Sequence, residues 1–217
     1  MDEGDQHPDA RLEALCANLS AGLHAAAQPL TILRASMGLD QATQMSCEEL
    51  RKLVANSARE VERVCALFSV LQQFVQTENT QPSLTESPIK PLIVHVVEGV
   101  NLLFERDGMS LVVVGPESCG AVLVDRARVL QAFSTILLRA HALSSPSDTV
   151  EFTWSDSASS VHLAIQNARL HVEGMSAETR LGFALAEAAV RSMQGKLSWS
   201  LQPFNVQIEL QKVSASN

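Results

Sequence analysis

The side chains here that could do nucleophilic or metal chemistry are the histidines and four cysteines, and their spacing singles out one histidine. Cys16, Cys47, Cys65 and Cys119 form no CxxC pair and take no metal-ligand spacing with a histidine. His95, His141, His162 and His171 stand apart from any cysteine or carboxylate cluster, and read as surface or satisfied core residues. His24 differs. It opens the run His24-Ala25-Ala26-Ala27-Gln28-Pro29-Leu30-Thr31 inside a strongly periodic helical segment. Its place, twelve residues after Leu12, is off the apolar seam, so the imidazole is expected to project into water. An exposed imidazole with one neutral nitrogen can act as a nucleophile toward another protein's substrate. Pro29 removes the amide that would bond the carbonyl of Ala25, and its ring crowds and is expected to bend that turn.

Two long helices must position this histidine. Leu12, Leu19, Ala26 and Leu33 recur every seven residues, and Cys16, Leu23, Leu30 and Met37 hold an offset of four, which predicts the apolar stripe of a helix ending near Gly38. A second helix starts at Ser46-Cys47-Glu48-Glu49, a capping box. Its seam is Val54, Val61, Phe68 and Val75, with Leu50, Ser57, Val64 and Leu71 as companions. The short connection makes the two helices antiparallel neighbours. One hairpin buries only part of these stripes, and two copies close a four-helix core, so a homodimer through residues 9–78 is expected. The alternative is a hairpin packed only on the chain's own second domain.

A Pro, Ser and Thr-rich stretch, Thr80 to Pro91, precedes a mixed pattern running to Val213. It reads helix Lys90–Arg106, strands Met109–Val114 and Ala121–Val124, helix Arg126–Leu143, strands Thr149–Ser155 and Val161–Gln166, and helix Ala177–Met193. A terminal hairpin of Lys196–Leu201 and Asn205–Leu210 turns at Pro203. Helices covering one face of a mixed sheet give an α/β sandwich over 88–213. The fold class is therefore α+β, a helical hairpin followed by a sandwich. Net charge is −8, which argues against nucleic acid as a partner. No apolar run approaches the ~20 residues of a membrane span, and the acidic start lacks a signal peptide's pattern. A reduced, cytoplasmic protein with no membrane partner is expected.

The run from His24 to Thr31 resembles the phospho-acceptor box of sensor histidine kinases, in which histidine is followed five residues later by proline and then leucine. Asp125-Arg-Ala-Arg128 through Thr135 to Arg139-Ala140 resembles the asparagine box of the same kinases' ATP-binding domain. The family has asparagine where Thr135 and Arg139 stand, and the second normally holds magnesium, which an arginine would repel. Asn167 and Arg169 fall where the family carries its adenine-reading aspartate and a first glycine. Gly182 alone remains of the second glycine box, and one glycine, Gly174, of the lid. The resemblance thus implies a degenerate domain without ATP.

A dimeric hairpin with an exposed histidine and such a sandwich, from Leu12 to Val213, resembles the ChpT-type histidine phosphotransferases of bacterial phosphorelays. That resemblance implies that His24 shuttles phosphoryl groups between receiver-domain aspartates, fed by a hybrid sensor kinase. The protein has no cofactor of its own, and Mg2+ comes with the receiver. The family usually has an acid directly after the histidine, where this chain has Ala25; a pseudokinase scaffold that binds receivers or a sensor kinase without transfer is the other reading. An ATP-dependent kinase with divergent boxes is a third. The docking face is expected at Ser20, Ala27, Gln28, Thr31 and Arg34, with Gln28 also placed to orient water or phosphate. Counting from the hairpin loop brings Ser57 to Leu67 opposite His24, which makes Arg59 and Arg63 candidates for receiver acids or phosphate, unless they are only a solvated helix face.

Overall fold

The computed structural model describes residues 8–36, 46–170 and 174–213. The chain divides into two compact units, Met1–Gln73 and Phe74–Asn217.

The first unit holds α1 (Pro8–Ser36) and most of α2 (Cys47–Asn79). α2 begins on the expected capping box. The Ser46 amide donates to Glu49 Oε2 at 2.7 Å, and the Glu49 amide donates to Ser46 Oγ at 3.3 Å. Two free amides of the first turn are thereby satisfied. Gly38, where the first helix was expected to end, lies outside the described residues.

Among the described residues of α1, Gly22, Ala25, Ala26 and Pro29 are buried, Ala26 being one of the expected seven-residue series, whereas Cys16, Leu23 and Leu30 of the offset-of-four series are exposed in the single chain. On α2 the companions Val64 and Leu71 are buried with Leu67, while Val54, Val61, Phe68 and Val75 remain at the surface. One copy of the chain covers only part of each helix, and the four-helix core expected of the sequence would need a second copy. The helical cysteines follow suit: Cys16, Cys47 and Cys65 are exposed, not buried as small apolar groups.

The second unit runs β1 (Thr85–Pro88), α3 (Ile89–Arg106), β2 (Ser110–Val114), β3 (Ala121–Val124) and α4 (Arg126–Leu143). It continues with β4 (Thr149–Asp156), β5 (Ser160–Asn167), α5 (Ala177–Ser192), β6 (Lys196–Leu201) and β7 (Phe204–Gln211). Five strands form one sheet in the order β2-β4-β5-β7-β6, with β2 and β4 parallel and every other pair antiparallel. β1 and β3 form a separate antiparallel pair. Val150, Phe152 and Trp154 are buried along β4 while Glu151 and Ser155 are exposed, the period of two expected of a sheet covered on one face. Helices supply that cover. Phe104 of α3, Phe133, Ile136 and Leu137 of α4 and Phe183 of α5 join Phe152, Ile165 and Val206 in one core.

α4 starts on Asp125, whose Oδ1 accepts the Arg128 amide at 3.2 Å, and α5 on Ser176, whose Oγ accepts the Thr179 amide at 3.1 Å. The last turn of α2 is fastened to α4. The buried Arg128 guanidinium donates to the carbonyls of Thr77 and Thr80, at 3.1 and 2.6 Å, taking up two orphan acceptors at the helix end. Arg191 of α5 pairs with Glu78 at 2.6 Å.

Candidate functional site

α1 carries a continuous polar face. Ser20, His24, Ala27, Gln28, Thr31 and Arg34 are all exposed, and their spacing of three and four residues stacks them on one side of the helix. Behind His24 the chain is closed, since Ala25 and Ala26 are buried. Leu23, Leu30 and Ile32 flank the face as exposed apolar residues. The helix continues past Pro29 to Ser36. Two residues beyond the proline, the Thr31 hydroxyl donates to the Ala27 carbonyl at 2.8 Å, a back-bond of the kind that bends helices. An imidazole so placed offers a ring nitrogen to an incoming electrophile with no rearrangement of its own helix.

Arg59 and Arg63 are exposed one turn apart on α2. Both have local partners: Arg59 donates to Asn56 Oδ1, and Arg63 lies 3.9 Å from the Glu60 carboxylate. A pair at that length on an exposed helix is weak. The six α1 residues thus share one face, and Arg59 and Arg63 lie at the surface of α2.

Asn167, Arg139 and Thr135 of the sandwich each make contacts within the fold. Asn167 is 1% exposed; its Nδ2 donates to Ser144 Oγ at 3.0 Å and Asp148 Oδ2 at 3.3 Å, and its Oδ1 accepts the Arg169 amide at 3.1 Å. Its hydrogen-bonding capacity is spent inside the fold. Arg139 is half-buried on α4, and its Cγ and Cδ lie 3.2 Å from where a Cβ on Gly182 of α5 would stand. Burial lowers the pKa of its guanidinium, against which the charge of Glu178 works. Thr135 packs beside it, its Cγ2 3.4 Å from the same point.

Of the other histidines, His95 is exposed, and His162 is exposed with Nε2 3.1 Å from Ser160 Oγ. His141 sits 3.1 Å from Asp107 Oδ2 and edge-on to Phe104. His171 lies outside the described residues. Among the described residues no group of three or more His, Cys, Asp or Glu side chains could hold a metal ion, and no helix is long and apolar enough to cross a membrane. Sequence reasoning did not find Arg128, Glu178 or the Ser144–Asp148–Asn167 cluster. Their partners lie between 19 and 51 residues away in the chain, and no local pattern marks such pairs.

No family model matches the chain, and no curated protein does either. Solved structures do. The histidine kinase AdeS of Acinetobacter baumannii is similar over 87% of this chain and 96% of its own, with a TM-score of 0.65 and 15% identity. The histidine kinase ThkA in complex with the response regulator protein TrrA is similar over 99% of this chain and 67% of that one, with a TM-score of 0.75 and 16% identity. The catalytic domain of ThkA alone is similar over 60% of this chain and 97% of its own, at a TM-score of 0.53 and 14% identity. The chain has a histidine-kinase-like fold.

Proposed function

We propose that this protein is a histidine phosphotransferase of a bacterial phosphorelay, of the ChpT type, working through His24 as a homodimer. The observation that carries the reading is the exposure of His24 at the head of its proline-containing box, on a face shared with Ser20, Ala27, Gln28, Thr31 and Arg34. A histidine-kinase-like fold around it supports the same reading, as does the response regulator bound to ThkA.

In the proposed step a receiver domain, phosphorylated by a hybrid sensor kinase, docks on that face. The unprotonated ring nitrogen of His24 attacks phosphorus; a P–N bond forms, the acyl P–O bond breaks, and the receiver's aspartate leaves as a carboxylate. The ring's proton passes to water. The reverse sequence delivers the group to a second receiver. The receiver brings the Mg2+ that its own acyl phosphate needs, so the phosphotransferase supplies positioning rather than a metal site. Gln28, one turn from His24, orients water or phosphate oxygen, and Arg59 and Arg63 meet receiver acids.

The sandwich in this reading does not bind ATP. Arg139 places a cation where a magnesium–triphosphate would need an acceptor, and Asn167 is turned inward. Ala25 gives His24 no neighbouring acid to take its proton, which matters more for attack on ATP than on an already activated acyl phosphate. The homodimer has its support in the two apolar lines that one copy leaves at the surface, Leu23 and Leu30 on α1 and Val54, Val61, Phe68 and Val75 on α2. Paired with a second copy of an antiparallel hairpin, these lines close a four-helix core.

Ala25 favours a second reading, a scaffold that binds receivers without transfer. The test is to incubate the protein with receiver domains carrying labelled phosphoryl groups and, separately, with phosphoramidate. Transfer to the parent protein and none to His24→Ala is expected. No acid-labile label on the parent in either arm would leave only the scaffold.

A further inference from the structure

Gly182 is the sixth residue of α5 (Ala177–Ser192), where a glycine needs a reason, because alanine there would favour the helix by about 0.5–1 kcal/mol. Its φ is not positive, so backbone conformation gives none. The reason on view is a neighbour. The methylene stem of Arg139 crosses α5 at this point, with Cγ and Cδ each 3.2 Å from the position a Cβ would take. That is closer than carbon atoms normally approach, so arginine and glycine form a matched pair.

The guanidinium beyond that stem is only partly hydrated. Its Nε is buried without a hydrogen-bond acceptor, and the opposing charge it feels is that of Glu178 in the first turn of α5. A long cation laid over a second helix in this way costs side-chain entropy and hydration. Something must offset that cost. Packing of the stem and attraction to Glu178 hold α4 against the start of α5.

We propose that Arg139 is an internal plug: its stem fills the surface above Gly182 and ties the first turns of α5 to α4 without any bound ligand. The inference rests on the reading of this face as the degenerate nucleotide side of the sandwich, and it says how that side stays ordered while empty. Where a nucleotide and its metal would bridge the two helices, one side chain of the protein does so permanently. Gly182 is then kept for the arginine and not for a phosphate.

A double-mutant cycle on the full chain tests the coupling, with melting temperature and hydrogen exchange of the amides of Ala177 to Leu181 as readouts. Gly182→Ala in the Arg139→Ala background should raise the melting temperature by about 2–3 °C, the helix-propensity gain. In the parent the same change should give no rise or a fall. Arg139→Ala alone should speed exchange in the first turn of α5. Arg139→Met keeps the stem and drops the charge, so it should retain the penalty on Gly182→Ala while sharing the faster exchange; it also serves if the alanine variant does not fold. Additive effects of the two substitutions would overturn the plug, as would unchanged exchange in both Arg139 variants. Phosphoryl transfer to His24 is measured on the same samples. Additive effects with transfer intact sink only the plug, and lost transfer in the parent with the coupling present sinks only the phosphotransferase.

Discussion

The apolar surface of the helical stem sets how tightly two copies should hold together. Leu23 and Leu30 of α1 are 56% and 48% exposed, and Val54, Val61, Phe68 and Val75 of α2 are 66%, 47%, 44% and 37% exposed. Full burial of such side chains is worth about 2 kcal/mol each, so covering the remaining half yields about 1 kcal/mol apiece and about 12 kcal/mol for a symmetric pair of chains. Association itself costs about 4–15 kcal/mol. The surplus, about 8 kcal/mol at the smallest of these costs, sets micromolar strength as the upper limit for a dimer held by this line alone. Val61→Ser with Phe68→Ser removes about 4 kcal/mol per dimer by the same arithmetic, which weakens self-association several hundred-fold. Serine and valine have near-equal helix propensity, so each separate helix is little affected by the Val61 change. Sedimentation velocity across a concentration series, with circular dichroism to check helix content, reads the effect. A parent protein that stays monomeric at the highest concentrations would refute the reasoning, and so would a double variant that associates as tightly as the parent.

Asn167→Asp, which puts an acid at the buried end of β5, should destabilise the sandwich rather than create a nucleotide site. It deletes the donors to Ser144 and Asp148 and sets two carboxylates about 3.3 Å apart, at a cost of at least ~2 kcal/mol. Because one carboxyl of such a pair takes up a proton more readily folded than unfolded, this variant should gain stability as pH falls, and a melting curve that is flat with pH would count against the cluster. In the stem, hydrogen bonds from the Ser46 hydroxyl and then its amide hold the Glu49 carboxyl below the ordinary carboxylate range. A depressed folded value means that the contribution is complete above that range and is lost as pH falls through it. Ser46→Ala should weaken the first turn of α2 by the ~1 kcal/mol of a lost N-cap and reduce that acid dependence, the backbone amide of residue 46 keeping its share. Helix content of the two proteins on an acid titration checks both points.

Much of the sandwich was legible in the chain because its elements are bounded by residues with strong local meaning. Asp125 and Ser176 announce α4 and α5, and Pro203 marks the turn between β6 and β7. β1 was not legible. Thr85–Pro88 has neither apolar alternation nor β-branched enrichment, and it is a strand only because β3, more than thirty residues on, offers it a partner. In the stem, periodicity identified two helices and placed Ala26 on the buried line of α1, but it did not single out Gly22 and Ala25. Hydrophobicity ranks Leu23 and Leu30 above Gly22 and Ala25, and one copy of the chain leaves both leucines exposed. The polar face around His24 was readable because exposure on a helix follows from spacing alone. The engagement of Arg139 with Gly182 was not, since it depends on two helices brought together by a sheet that neither belongs to.

Ala25 is 3% exposed, so a carboxylate substituted there would have to shed its water. An acid directly after His24 would thus cost the stem stability, and a base that takes the imidazole's proton has to come from solvent or from a docked partner.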